Sequence, residues 1–232
     1  MRTGRGKEEL RSFKFYPNYL NVPEGSCLFE IGNTKVIATA TIEAKVPQFA
    51  KELDEGWITA EYFMFPRATP ERNIKDLKGK DGRSMEISRI ISRSLRGACD
   101  RRKLKGYTII IDCGVLQADG GTRTAGLTAA SVALADAGIP MKDLAIGVAI
   151  GKVNGTLVVD VNELEDQYGE ADMPIGILPN LNEVVLLQLN GVLTPEEFNK
   201  AISLAFSAAE HIYKIAKEAL YLKYLKMAEE AR

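Results

Sequence analysis

The sequence predicts an α+β fold of mixed sheets with packed helices, in which a strand–helix unit occurs twice. Two observations carry this. In each half of the chain, short β-favouring runs come first and a long helical pattern follows. No Pro-, Gly- or Ser-rich stretch marks a linker, so residues 1–232 read as one domain. With 46% hydrophobic residues, the chain has ample material for a core.

The first half opens on strands over Ser12–Tyr19 and Ser26–Ile31, a turn at Gly32-Asn33, and a return strand over Lys35–Glu43. Trp57–Tyr62 is a further β-favouring run, so an opening meander is expected. Phe63–Gly82 contains Pro66 and Pro70 and five cations, and reads as a long exposed loop. Its cations, beside Tyr62, Phe63 and Phe65, suit single-stranded nucleic acid, with its phosphates and stackable bases. Ser84–Arg101 is an amphipathic helix. Met85, Ile87, Ile90, Ile91, Leu95 and Ala98 form its apolar face, and Glu86, Arg89, Arg93, Arg96 and Asp100 the other.

Tyr107–Ile111 then reads as a buried strand, Gly120-Gly121 as a turn, and Leu127–Ala137 as a helix closed by Gly138 and Pro140. Thr122 stands where it could cap that helix. Glycines allow close backbone approach, a helix N-terminus favours an anion, and Arg123 adds a guanidinium fork. Arg83, just ahead of the preceding helix, has a similar setting. A phosphate-binding corner and an ordinary strand-to-helix turn both fit these residues, and the missing Gly-Lys-Ser/Thr ending excludes a Walker loop.

The second half predicts strands over Leu144–Lys152 and Thr156–Val161 around an Asn154-Gly155 hairpin turn, then Pro174–Leu178 and Glu183–Leu189. Between them lies an acidic loop in which Asp166 and Asp172 flank a turn at Gly169. Two neighbouring carboxylates can hold a divalent metal or divide acid and base roles, and a solvated acidic loop fits as well. Thr194-Pro195-Glu196-Glu197 starts a last helix, with Phe198, Ile202, Ala205, Ala209, Ile212, Ala216 and Ala219 on one face. A helix from Pro195 to Glu230 would be roughly 54 Å long. That exceeds the about 45 Å expected across a compact domain of this size, so its last turns project, fray or meet another subunit.

Composition excludes several chemistries. His211 is the sole histidine, which leaves general-base work to carboxylates, Lys, Tyr or the substrate. Cys27, Cys99 and Cys113 show no metal or disulfide spacing, which fits a reducing cytoplasm. No apolar run approaches the roughly 18 residues of a membrane span, and no apolar segment follows the basic N-terminus as in a signal peptide. The net charge of −1 hides a polarity. Arg67–Lys105 holds 13 Lys/Arg against 5 Asp/Glu, whereas Val153–Asn199 holds nine acids and no Lys or Arg. A polyanion partner beside a carboxylate site is expected.

Taken jointly, Gly56–Tyr62, Pro66–Thr69, Gly82–Ile87 and Val115–Thr124 closely resemble bacterial ribonuclease PH; Gly4-Arg5, Leu10-Arg11 and Glu165-Asp166 through Asp172-Met173 fit too. The resemblance covers nearly the whole chain. It implies a ribosomal-protein-like α+β fold, a homo-hexamer built as a trimer of dimers, and a phosphate-dependent 3′ exoribonuclease. Such an enzyme trims tRNA precursors and other RNA 3′ ends and releases nucleoside diphosphates. It implies that Arg83, Gly121, Thr122 and Arg123 bind inorganic phosphate, that Asp166 and Asp172 are the essential carboxylates, acting directly or through Mg²⁺, and that Arg67, Arg72 and Lys75 bind tRNA. Two places depart from the pattern. Gly114 stands where the family often has Asp, and Val184–Leu193 lacks the usual Gly-Thr-Ala-Glu. A non-catalytic RNA-binding ring subunit of the same fold is the alternative. A phosphate-binding metabolic enzyme is a third reading, against which the basic loop argues.

Overall fold

The computed structural model describes residue 2, residues 4–79 and residues 81–230. The Lys80 end of the expected basic loop, like Met1, Thr3, Ala231 and Arg232, lies outside the described residues.

Strands β1 (Phe13–Pro17), β2 (Gly25–Ile31) and β3 (Thr34–Glu43) form the expected antiparallel meander. A short helix, α1 (Gln48–Glu52), follows. The next strand, β4 (Trp57–Met64), does not extend the meander. The chain passes through α2 (Lys75–Lys78) and α3 (Gly82–Ala98) before returning as β5 (Thr108–Gln117), which pairs antiparallel with β3 and parallel with β4. A parallel pair needs such a crossover, and β4 is thereby left at the sheet edge in the order β1-β2-β3-β5-β4.

That edge is closed by serines. The N–H groups of Ala60 and Tyr62 donate to Ser92 Oγ at 2.7 Å and Ser88 Oγ at 2.8 Å. Each hydroxyl donates in turn to the carbonyl four residues earlier in α3. The expected apolar face of this helix is therefore corrected. Ile87, Ile91, Leu95 and Ala98 are buried together with Ser84, Ser88 and Ser92, whereas Met85 is 56% exposed. A helix laid along a strand edge must supply acceptors, since an unpaired buried N–H is costly. Two of the outward arginines stay exposed, but Arg96 lies 4.4 Å over the Trp57 ring and donates to Ile58 O.

Helix α4 (Thr122–Asp136) packs against β2, β3 and β5 and also against β6 (Ile146–Val153) and β8 (Ala171–Leu178) of a second sheet. It is buried on almost every side, which explains its small residues. A Cβ on Gly126 would come within 3.0 Å of Cys113 Sγ, and one on Gly147 within 2.3 Å of Thr124 O. Here too helix hydroxyls take strand amides: Gly147 N donates to Thr128 Oγ1 and Ala145 N to Ser131 Oγ.

The second sheet is antiparallel. β6 pairs with β7 (Thr156–Val159) across the predicted Asn154-Gly155 turn, where both residues have positive φ. β8 pairs with β6 on one side and with β9 (Glu183–Leu187) and β10 (Asn190–Gly191) on the other. Before β8 the expected acidic loop is a helix, α5 (Glu163–Tyr168). Asn162 caps it, accepting from Glu165 N at 2.9 Å, while Glu165 accepts from Asn162 N at 3.1 Å. That reciprocal pair drives the helix despite the run of acids.

Helix α6 (Pro195–Glu230) starts with the predicted Thr194–Glu197 capping box. It buries Ala201, Ala205, Ala209, Ile212, Ala216 and Leu220. Lys223 Nζ reaches the fully buried Asp136 carboxylate at 2.6 Å, so the helix stays docked to α4 that far. Tyr221, Leu222, Tyr224 and Leu225 are largely exposed. No described helix is long and apolar enough to cross a membrane.

Candidate functional site

The N-terminus of α4 is held at the floor of a cleft of about 540 Å³. Gly120 and Gly121 have φ of +74° and +64°, a region L side chains rarely adopt. At Gly120 a Cβ would also meet Asn162 C at 2.4 Å, so the turn presses against the β7–α5 connection. Thr34 Oγ1 donates to Gly120 O and accepts from Asp119 N, and Arg11 donates to Asp119 O. Asp119 Oδ1 accepts from Glu163 N, which ties the turn to α5.

The expectation that Thr122 caps the helix is corrected. Gly121 is the N-cap, and Thr122, one residue inside, accepts from Tyr62 OH at 3.0 Å. The left-handed glycine starts the helix one residue earlier than a threonine cap would allow. Tyr62 itself is pushed up to about 12, chiefly by burial, so its hydroxyl stays protonated.

Around this floor the structure gathers Arg83 from α3, Arg123 from α4, Asp166 from α5 and Asp172 from β8. Burial raises the Asp172 carboxyl first, and the Asp166 charge raises it further. Arg123 and Arg83 pull the other way, and the balance lies at about 6. Two carboxylates and two guanidiniums are thus in electrostatic reach of one another. Oxygen donors of this kind fit a hard divalent cation that takes its other ligands from water or phosphate. No group of three His, Cys, Asp or Glu side chains suited to a metal exists among the described residues.

Of the three expected RNA contacts, only Lys75 lines the cleft; Arg67 and Arg72 are exposed on the same loop, outside its lining. Arg67 donates to Pro70 O at 2.8 Å. What shapes the loop is Asp76, which the sequence reading passed over. Its carboxylate accepts from Met64 N at 2.9 Å, Ser84 Oγ at 3.0 Å and Asp81 N at 3.3 Å, joining the end of β4 to the start of α3. Gln188, just past β9, was also missed: its Oε1 accepts from Arg123 Nη1 at 2.6 Å. No motif marks either residue. Gly114, the first departure, lies buried under two rings; a Cβ there would stand 3.0 Å from Phe63 and 3.1 Å from Phe65.

An ion cluster supports the site from behind. Arg2 pairs with Glu165 at 2.7 Å, Arg5 with Asp160 at 2.9 Å, and Arg11 with Asp160 at 2.6 Å. The Glu165 side chain is fully buried. Burial pushes its carboxyl up, but the Arg2 bond and the Asn162 amide outweigh this and hold it below the usual value.

An arginine-lined corner facing a carboxylate pair can hold an anion and exchange a proton beside it. The chain belongs to the 3′ exoribonuclease family: residues 9–140 match its domain 1 and residues 143–208 its domain 2. More particularly, it is 43% identical over 228 residues to "Exosome complex component Rrp41" of Thermococcus onnurineus and of Pyrococcus furiosus, covering 98% of this chain and 90% of each relative. The ribonuclease PH resemblance therefore holds for the family domains, while these relatives bear the name of exosome components. Among solved structures, "archaeoglobus fulgidus exosome with RNA bound to the active site" superposes with a TM-score of 0.80 at 26% identity, covering 91% of this chain and 90% of that one. Rice Rrp46 shares the fold, with a TM-score of 0.81 at 22% identity over 94% of this chain and 98% of that one.

Proposed function

We propose that this chain is a catalytic subunit of a phosphate-dependent 3′-to-5′ exoribonuclease ring. The observation that carries the reading is the single cleft holding Arg83, Arg123 and the Gly121-Thr122 turn opposite Asp166 and Asp172. Inorganic phosphate sits on the two guanidiniums and the first turn of α4, where its charge is offset by the helix N-terminus. Its oxygen attacks the phosphorus of the last RNA linkage. The bond from that phosphorus to the 3′ oxygen of the preceding nucleotide breaks, and the terminal nucleotide leaves as a diphosphate. Phosphate is already a nucleophile, which suits a site without histidine. Asp172, with its raised pKa, supplies the proton to the departing 3′ oxygen. Asp166 keeps that proton on Asp172. Mg²⁺, if held by this pair, would take the place of that proton and screen the repulsion between the two polyanions instead.

Lys75 in the cleft and Arg67 and Arg72 outside it lead the RNA inward. The relatives' names favour work within a complex over an enzyme that trims tRNA precursors as a homo-hexamer. Exposed Arg89 and Arg93 and the apolar end of α6 are available for ring contacts. The test is to incubate the purified protein with RNA, unstructured or as tRNA with 3′ extra nucleotides, with and without phosphate, and to record its mass by light scattering. The reading expects shortening only with phosphate, on both RNAs, by an assembled ring. Preference for extended tRNA would support the trimming enzyme, and binding without shortening the non-catalytic subunit.

A further inference from the structure

We propose that Gln188 is a positioning residue for phosphate: it aims the Arg123 guanidinium into the cleft without neutralising it. The inference rests on the phosphate-dependent reading above. Arg123 Nη1 donates to Gln188 Oε1 at 2.6 Å, and Gln188 Nε2 donates to Glu86 Oε1 at 2.9 Å. The orientation of the amide is fixed by its partners, since a guanidinium only donates and an ionised carboxylate only accepts. Gln188 N donates to Pro174 O at 3.1 Å, two residues from Asp172. Gln188 thus links α4 and α3 through its side chain and, through its backbone N–H, the strand that carries Asp172.

The chemistry explains why this residue is an amide. Among the described residues Arg123 makes no ion pair; its charge acts across the cleft on Asp172 and remains available to an anion bound there. Glu86, in the second turn of α3, is the carboxylate at the other end of this chain of bonds and could compete for it. The Gln188 amide stands between the two, satisfies one guanidinium N–H with a neutral oxygen, and occupies Glu86 with its own N–H. A carboxylate at this place would pair with Arg123 directly and cancel the charge that phosphate needs. An apolar residue would let Glu86 draw Arg123 out of the cleft.

The test combines phosphorolysis at varied phosphate with calorimetric binding of inorganic phosphate. Gln188→Leu is expected to raise the phosphate KM about tenfold, the weight of one bond to a charged group. Gln188→Glu raises it further, with kcat within about twofold. Glu86→Gln placed in the Gln188→Leu background recovers most of the loss, which a merely structural defect would not. Thermal melting confirms that the variants fold. Unchanged KM and phosphate affinity in Gln188→Glu would overturn the inference, as would a fall in kcat alone or no recovery in the double variant. A wild-type protein that binds phosphate but never turns over would instead overturn the catalytic reading, and the binding comparison would still decide the role of Gln188.

Discussion

Asp166 raises the pKa of Asp172: after burial, its charge is the largest cause of the shift of the Asp172 carboxyl to about 6. The two residues lie on different elements, α5 and β8, and meet only because the chain turns at Gly169. An acid whose folded pKa exceeds its unfolded value binds extra protons in the fold, so the fold loses stability as pH rises through that window.

The window runs from the ordinary value of 3.8 to about 6. Asp172→Asn is therefore expected to stabilise the protein at pH 8 by about 1–3 kcal/mol, with the gain gone by pH 4. Urea unfolding at both pH values checks this, and equal stability of the two proteins at pH 8 would contradict it. As the proton donor, Asp172 should also make turnover fall as pH rises above about 6. Asp166→Asn should lower the pKa and move that fall to lower pH.

The arginines and the aspartates separate kinetically. Arg83→Ala or Arg123→Ala should raise the phosphate KM roughly ten- to a hundredfold and change RNA affinity little. Asp166→Asn and Asp172→Asn remove negative charge, so both ligands should bind as well or better while kcat collapses. Aspartate variants that turn over normally and bind RNA poorly would make these carboxylates structural.

For the basic loop, the expectation is a gradient. Replacing Arg67 and Arg72 by Ala should weaken long RNA and reduce its salt dependence, by about 0.7 in slope for each lost phosphate contact, and spare a short oligonucleotide. Lys75→Ala should affect both, because Lys75 lines the cleft. Filter binding across a salt series distinguishes the cases, and equal losses on both RNAs from the first pair would place them in the site.

The N-terminal arginines predict a stability effect. Glu165→Ala leaves Arg2 and Arg5 with a buried partner missing and should cost about 3–5 kcal/mol in denaturant unfolding. Because the Glu165 carboxyl sits below its usual value, its contribution is present at neutral pH and is lost as pH falls through that lowered value. A variant as stable as the parent at pH 7 would contradict this.

Much of the candidate site's local geometry is legible in the sequence because it depends on local signals. Gly120-Gly121 before a helix, and Arg83 and Arg123 at helix starts, follow from rules that act over a few residues. What was hidden depends on long-range pairing. Nothing local says that β4 pairs with β5 instead of β3, so nothing said that Ser88 and Ser92 would be needed to close its edge. Asp76 looked like one more charge in a loop, and its three bonds exist only once β4 and α3 are side by side. The acidic stretch forms α5 because the Asn162–Glu165 box outweighs the repulsion among its acids, a balance that net charge alone does not show.

The most direct measurement uses isotopically labelled inorganic phosphate. With RNA and the assembled protein, the account predicts nucleoside diphosphates whose terminal phosphoryl group carries the label, formed only when phosphate is present. Unlabelled nucleoside monophosphates, formed equally without phosphate, would contradict it.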